Sequence, residues 1–154
     1  MDTSPALDIG ISRDIYPMPS FVTVTVSDLD SSTAWYEAIG FINLFTMPGP
    51  GGSPALIHMR RWRYQDVLLV PGPKPTSPST GFTLSLAAEA EELAGIAEAA
   101  ATMEVGHAGT PAVTPWNAIE LHLTDPDGYP LTFTARAPEQ DRDETFERWM
   151  AEQA

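Results

Sequence analysis

The 154-residue chain contains no cysteine, which excludes disulfide bridges, thiolate metal sites and a cysteine nucleophile. Positive charge is also scarce, because 8 Lys and Arg residues stand against 21 Asp and Glu residues, for a formal net charge of −13. A surface of this kind repels the phosphates of nucleic acids and of anionic lipids, and it favours cationic ligands. We therefore expect no nucleic-acid partner.

Long apolar runs are missing as well. No stretch approaches the roughly 18 residues that a membrane helix needs, and the start of the chain lacks the basic and then apolar pattern of a signal peptide. The sequence also contains neither a glycine-rich phosphate loop nor a Gly-X-Ser-X-Gly nucleophile motif. These absences predict a cytoplasmic protein with no membrane partner.

The order of predicted elements in the first half of the chain is β-α-β-β-β. The alternating, β-branched stretch 21–26 predicts a strand, and the segment 27–30 that follows it contains capping residues typical of a helix start. Gly40 is a typical left-handed helix stop. Three further strands are predicted at 41–46, 55–59 and 66–70. Together these elements define a first module over residues 19–71.

The same order then returns. The proline-rich stretch 72–80 is predicted to be a linker, and it is followed by a second module over residues 81–136. This module is predicted to contain a strand at 81–87, a helix at 89–102, a weak strand at 106–113, and a hairpin of 119–124 and 131–135 that turns at Asp125-Pro126-Asp127-Gly128.

Two flanking segments complete the predicted organisation. Residues 1–18 are predicted to be an N-terminal arm, either loosely ordered or laid over a neighbour. Residues 137–154 are predicted to carry a helix over 139–152 with an apolar stripe of Phe146, Trp149 and Met150. The stripe predicts that this helix docks on the sheet or on a partner.

Two sequence motifs within this pattern resemble the vicinal oxygen chelate superfamily, which contains glyoxalase I, extradiol dioxygenases and bleomycin-resistance proteins. They are the segment Val26-Ser27-Asp28-Leu29-Asp30 with Tyr36, and the segment from Asp125 to Leu131. The resemblance spans roughly residues 21–135. It implies an α+β fold in which two βαβββ modules form a curled, cup-like mixed sheet, here followed by a C-terminal helix. It also implies a homodimer and a ligand inside the cup.

Enzymes of this superfamily commonly hold a divalent metal with His, Glu or Gln side chains on the first and last strands of the modules. On the first strands of the two modules, the corresponding positions here are Phe21 and Phe82. On the last strands, they are Thr132 in the second module and, in the first module, Leu69, or Leu68 if the register shifts by one. None of these side chains ligates a divalent cation. The resemblance therefore predicts a protein without a metal or a cofactor. Such a protein is closest in character to the bleomycin-resistance branch of the superfamily.

Relocated metal ligands are the alternative. Glu120 and His122 are two apart on one predicted strand and share a face, but the apolar residues alternating with them favour a solvent-facing pair. By the same alternation, His58 is predicted to be solvent-facing or locally bonded. His107 supports no assignment.

Aromatic side chains are the remaining candidates for ligand contact, because flat rings suit planar or cationic ligands. Trp62 and Trp116 fall at turns or strand ends and are predicted to face a ligand. With the superfamily positions, the predicted ligand-binding residues are Phe21, Trp62, Phe82, Trp116 and Thr132. No catalytic residue is assigned.

Three functions are compatible with these observations. The first is a metal-free protein that binds a small molecule, for example one that sequesters a cationic aromatic antibiotic. The second is a glyoxalase-like lyase or isomerase, or a dioxygenase, that works without metal or with relocated ligands, with Asp28, Glu120 and His122 as candidate acid-base groups. The third is an interaction protein that docks an acidic partner or an anionic ligand through Arg60, Arg61 and Arg63, three of its eight basic residues.

Overall fold

A computed structural model describes residues 10–77 and 81–154 of the chain. The chain divides into two compact units, Met1–Ser77 and Pro78–Ala154, and each is described by itself. Residues 1–9 of the predicted arm and residues 78–80 of the predicted linker lie outside the described residues.

The first unit contains one βαβββ module. Its elements are β1 (Phe21–Val26), α1 (Leu29–Ala38), β2 (Ile42–Pro48), β3 (Pro54–Arg61) and β4 (Gln65–Pro71). The strands form a sheet in the order β1-β4-β3-β2, in which β1 and β4 are parallel and the other neighbours are antiparallel. The predicted order of elements is therefore confirmed, with strands that extend up to two residues beyond the predicted ends.

Local sequence explains where α1 begins and ends. The side chain of Asp28 accepts a hydrogen bond of 3.0 Å from the backbone N–H of Ser31, which caps one of the free donors at the helix start. Gly40, two residues beyond the helix, has a φ of 108°, a conformation that residues with a Cβ rarely adopt. The helix is thereby held to a length of 10 residues.

One face of the first sheet packs against α1. Val24, Leu69 and Ile57 lie side by side in the strand register, and all three are buried. The helix contributes Trp35 and Tyr36, which are fully buried and contact each other edge to face with ring centroids 5.1 Å apart. We call the opposite face, which α1 does not cover, the first open face; it carries Phe21, Thr23, Phe45, His58, Arg60, Asp66 and Leu68.

The second unit repeats the arrangement with shorter edge strands. Its elements are β5 (Leu84–Ala87), α2 (Leu93–Ala101), β6 (His107–Ala108), β7 (Ala112–Val113), β8 (Ala118–Thr124), β9 (Pro130–Arg136) and α3 (Glu144–Glu152). The sheet order is β5-β9-β8-β6, with β7 also paired to β8. The single weak strand predicted over 106–113 is thus two separate two-residue strands, because Pro111 lacks the N–H that a continuous ladder requires.

Helix α2 covers one face of the second sheet. A capping box between Glu89 and Glu92 starts a 3₁₀ turn, after which α2 contributes Leu93 and Ala100 to the core. The strands contribute buried side chains to the same core: Leu86, Leu121, Leu123, Leu131 and Phe133. The opposite face is the second open face; it carries Ser85, Ala87, Glu120, His122, Thr132 and Thr134.

The turn between β8 and β9 forms as predicted. Asp125 Oδ1 accepts hydrogen bonds from the backbone N–H groups of Asp127 and Tyr129 at 3.0 and 2.9 Å, and Gly128 has a φ of 94°. Burial, with the charges of Asp125 and Asp127, raises the pKa of the Tyr129 phenol. The phenol is therefore neutral throughout the neutral pH range.

The C-terminal helix is shorter than predicted. Residues 139–141 form a 3₁₀ turn, and α3 starts only after Asp143, whose side chain accepts from the Thr145 N–H at 2.7 Å. Asn117 fixes this start, because its amide accepts from the Asp143 N–H at 2.7 Å and donates to the Asp143 carbonyl at 3.0 Å. Trp149 and Met150 are 53% and 47% exposed, so docking of this stripe on the sheet is wrong, and docking on a partner stays a prediction.

Among the described residues, no helix is both long enough and apolar enough to cross a membrane.

Candidate ligand site

Strand pairing defines a central row across the first open face. Thr23 of β1 pairs with Leu68 of β4, Leu68 pairs with His58 of β3, and His58 pairs with Phe45 of β2. Leu69, by contrast, is fully buried on the face that packs against α1. Because neighbouring residues of a strand point to opposite faces, Leu68 is the one of the two predicted alternatives that lies on the first open face.

A buried charged cluster occupies the neighbouring row. Arg60 Nε donates to Asp66 Oδ1 at 2.7 Å, and His58 Nε2 lies 2.6 Å from the same oxygen. No more than 3% of any of these three side chains is exposed. Charges at this depth are stable only when paired, so Asp66 and Arg60 depend on each other. The prediction that His58 faces solvent is wrong, whereas the alternative of a local bond is correct.

The remaining nitrogens of Arg60 hold the segment Ser12–Ile15. Nη1 donates to the carbonyls of Ser12 and Asp14, and Nη2 donates to the carbonyl of Ile15, with distances of 2.9 and 3.1 Å to Ser12 and Ile15. All these acceptors belong to the backbone. The segment is therefore attached to the first open face through its main chain, and in this part of the arm the prediction of loose order is wrong.

The arginine cluster is not an exposed docking loop. Arg60 and Arg61 are the last two residues of β3, and both are fully buried. The turn that follows spans only three residues, 62–64. Arg61 donates to Gln65 Oε1 at 2.7 Å, and its guanidinium lies 4.6 Å from the centroid of the Trp62 ring. Only Arg63 of the three is exposed, so docking through the whole cluster is wrong.

Two of the predicted ligand-binding residues lie in the first unit. Phe21 is 53% exposed and pairs with Asp66, next to the buried cluster. Trp62 is half-buried in the turn after β3 with a φ of 54°, and Arg61 occupies one face of its ring. Sequence reasoning missed Phe45 and Met47, which are 43% and 42% exposed along β2. Their alternation with Asn43 and Thr46 was too irregular to assign a face, because β2 contains register shifts at two places.

The second open face contains a polar cluster built on two rows. In one row, Thr132 pairs with Ser85 on one side and with His122 on the other. In the next row, Thr134 pairs with Ala87 and with Glu120. His122 Nδ1 lies 2.8 Å from Thr132 Oγ1, and its Nε2 lies 3.6 Å from Glu120 Oε2. The prediction of a solvent-facing pair is confirmed for His122, whose side chain is 70% exposed, but wrong for Glu120, whose side chain is 16% exposed.

The other predicted residues of the second unit lie apart from one another. Phe82 is 60% exposed and precedes β5, which begins at Leu84. Trp116 is 54% exposed in the turn before β8, which begins at Ala118. Thr132 is buried on β9 and its hydroxyl lies 2.8 Å from His122 Nδ1. The three residues therefore belong to different elements of the second unit.

The sequence model of the Glyoxalase/Bleomycin resistance protein/Dioxygenase superfamily matches residues 19–133, most of the chain. The match covers both βαβββ modules described above. The chain belongs to this superfamily.

Solved structures of the superfamily share its fold. A glyoxylase/bleomycin resistance protein/dioxygenase domain from Frankia sp. EAN1pec is 21% identical, with a TM-score of 0.63 over 78% of this chain and 92% of that one. A bleomycin-binding protein in complex with bleomycin is 19% identical, with a TM-score of 0.58 over 76% and 97% of the two chains. The fosfomycin resistance protein FosX from Listeria monocytogenes, in complex with Mn(II), is 15% identical, with a TM-score of 0.62 over 82% and 95%. No curated protein matches the chain in sequence.

The side chains at the predicted ligand positions do not fit a divalent metal. The residues that the resemblance assigns to these positions are Phe21, Phe82, Leu68 and Thr132, and none offers an imidazole or a carboxylate. Within residues 10–77 and 81–154, no group of three or more His, Cys, Asp or Glu side chains is arranged to hold a metal ion. The ring nitrogen Nε2 of His58 is already bonded to Asp66.

Proposed function

We propose that this superfamily member is a metal-free protein that binds a cationic, partly aromatic small molecule. The observation that carries the proposal is the composition of the positions that the resemblance assigns to metal ligands, which are two phenylalanines, a leucine and a threonine. A protein that only sequesters a ligand needs affinity and no reacting group, so apolar side chains at these positions suit that role.

Charge and exposed aromatic surface support the cationic, aromatic character of the ligand. The formal net charge of −13 attracts cations over a distance of about one Debye length. Phe21, Phe82 and Trp116 are each more than half exposed, and such rings bind planar groups and cations. The likeness to the bleomycin-binding protein supports bleomycin as the first ligand to test.

The proposal is tested by calorimetric titration of the full chain with metal-free bleomycin, together with tryptophan fluorescence. We expect saturable binding that weakens as salt concentration rises, because screening reduces attraction between the acidic protein and a cationic ligand. Phe21→Ala is expected to reduce the affinity about tenfold, because it removes a ring that the bound ligand would cover. Trp149→Ala, on α3, is the matched control and is expected to leave the affinity unchanged. Absence of both heat and quenching would rule out bleomycin.

One observation favours the enzymatic alternative, a lyase, isomerase or dioxygenase with relocated ligands. Glu120 and His122 lie 3.6 Å apart on the second open face, close enough for a shared ion. Elemental analysis of protein purified without chelator discriminates the two functions. A stoichiometric metal that disappears in His122→Gln would replace the binding proposal by the enzymatic one. The homodimer and the cytoplasmic location remain predictions.

A further inference from the structure

Glu120 is a largely covered carboxylate without a permanent cationic partner. Its side chain is 16% exposed, and its contacts in the described part of the chain are His122 at 3.6 Å and a long 3.5 Å hydrogen bond from the Thr134 hydroxyl. Neither Lys nor Arg pairs with it there. A carboxylate withdrawn from water gains more than an exposed one from a cation that reaches it.

The histidine beside it is held in place. Thr132 Oγ1 lies 2.8 Å from His122 Nδ1, so the ring orientation is fixed by the pairing of β8 with β9. Ser85 and Ala87, the neighbours of Thr132 and Thr134 on β5, are exposed and small. The cluster is therefore accessible from the side of β5, and no bulky side chain of β5 covers it.

We propose that Glu120, His122 and Thr132 form a subsite that binds the ammonium or guanidinium group of a small-molecule ligand. Glu120 accepts the hydrogen bonds of the cation, Thr132 orients the imidazole, and His122 forms one wall of the subsite. This inference rests on the proposed function, because it assigns the cationic part of the ligand to one place in the second module. Charge-assisted hydrogen bonds to a covered carboxylate are among the stronger polar contacts in proteins.

The test uses agmatine, which carries both a guanidinium and an ammonium group, and the three histidine rings as reporters. Long-range ¹H–¹⁵N spectra of the full chain are recorded during titration, with rings assigned from His58→Gln, His107→Gln and His122→Gln. We expect saturable shifts at His122 and none at His107. Glu120→Gln is expected to weaken agmatine binding at least about tenfold.

Glu98→Gln is the matched control, because it removes the same charge from an exposed position on α2. We expect it to change agmatine affinity less than twofold. An unshifted His122, or equal weakening by Glu98→Gln and Glu120→Gln, would overturn the subsite. A thermal melt of Glu120→Gln checks that the isosteric variant is folded.

The same variants are titrated with bleomycin, which separates this inference from the proposed function. If bleomycin binds the wild-type chain and Glu120→Gln equally well, the binding function holds and the subsite is wrong. If agmatine shifts His122 in a Glu120-dependent way while bleomycin does not bind, the subsite holds and bleomycin is the wrong ligand.

Discussion

The two modules place a histidine at corresponding positions and use it in opposite ways. In the first module, His58 pairs with Leu68, which in turn pairs with Thr23. In the second module, His122 pairs with Thr132, which in turn pairs with Ser85. His58 is buried and bonded to an aspartate that Arg60 also neutralises, whereas His122 is exposed beside a glutamate that no arginine of the described residues pairs with.

The difference lies in the neighbouring row. Asp66 and Arg60 face each other in the first module, while Pro130 and Thr124 pair at the corresponding place in the second. The first open face therefore carries a closed ionic cluster that also holds the chain's own segment Ser12–Ile15. The second keeps its polar groups available to a ligand. One strand arrangement thus supports an internal structural contact in one copy and a candidate ligand contact in the other.

The largest effect is expected from breaking the closed cluster with Arg60→Met. The substitution leaves Asp66 buried with only His58 and releases the carbonyls of Ser12, Asp14 and Ile15. We expect a loss of about 3 to 5 kcal/mol in the free energy of unfolding, measured by urea denaturation. Arg63→Met, on the exposed turn residue, is the control and is expected to have no measurable effect. Equal stability of both variants would show that the cluster does not stabilise the module.

The corresponding histidines provide the next comparison. His58→Gln is expected to cost about 1 to 3 kcal/mol, because it disturbs a buried hydrogen bond to a charged group. His122→Gln is expected to change stability by less than about 0.5 kcal/mol, since its ring is mostly in solvent. Denaturation of the two variants under identical conditions measures the contrast. A larger loss from His122→Gln would contradict the assignment of structural and ligand-binding roles.

The smallest effect on stability is expected from Thr132→Val, which keeps the shape of the side chain and removes only its hydroxyl. We expect a loss of about 1 kcal/mol or less, together with greater mobility of the His122 ring, seen in ¹⁵N relaxation of the ring nitrogens. Agmatine affinity should fall by about threefold, because the imidazole is no longer oriented. Thr23→Val, on β1 of the first module, serves as the control for loss of a strand hydroxyl without loss of a bond to His122 or Glu120.

Much of the architecture followed from local sequence. Alternation located β1 and β8, capping residues located the start of α1, and turn chemistry located the hairpin at Asp125 to Gly128. The family model that shows the superfamily membership matches residues 19–133, a range that contains these segments. The ends of elements were less accurate where a strand shortened near glycine or proline, as in β5 and in the strands around Pro111.

The candidate sites were predicted less well, because they depend on side chains from different strands. Alternation predicted that His58 is solvent-facing or locally bonded, and the docking hypothesis required Arg60 to be exposed, but the structure buries both side chains. The missing information was that Asp66 lies across the hairpin from Arg60 and that the carbonyls of the segment Ser12–Ile15 accept hydrogen bonds from Arg60. Pairing of residues across the short turn 62–64 was the one signal in the sequence that pointed to Asp66.

The sequence by itself determined the order of elements in two βαβββ modules and a formal net charge of −13. These features depend on periodicity, turn residues and composition, which act over a few positions at a time. Only the tertiary structure decided which charges are buried and which remain available. Burial depends on what packs over a side chain: Arg60 is covered by a segment almost fifty residues away, while on the second open face only small side chains of β5 flank Thr132 and Thr134.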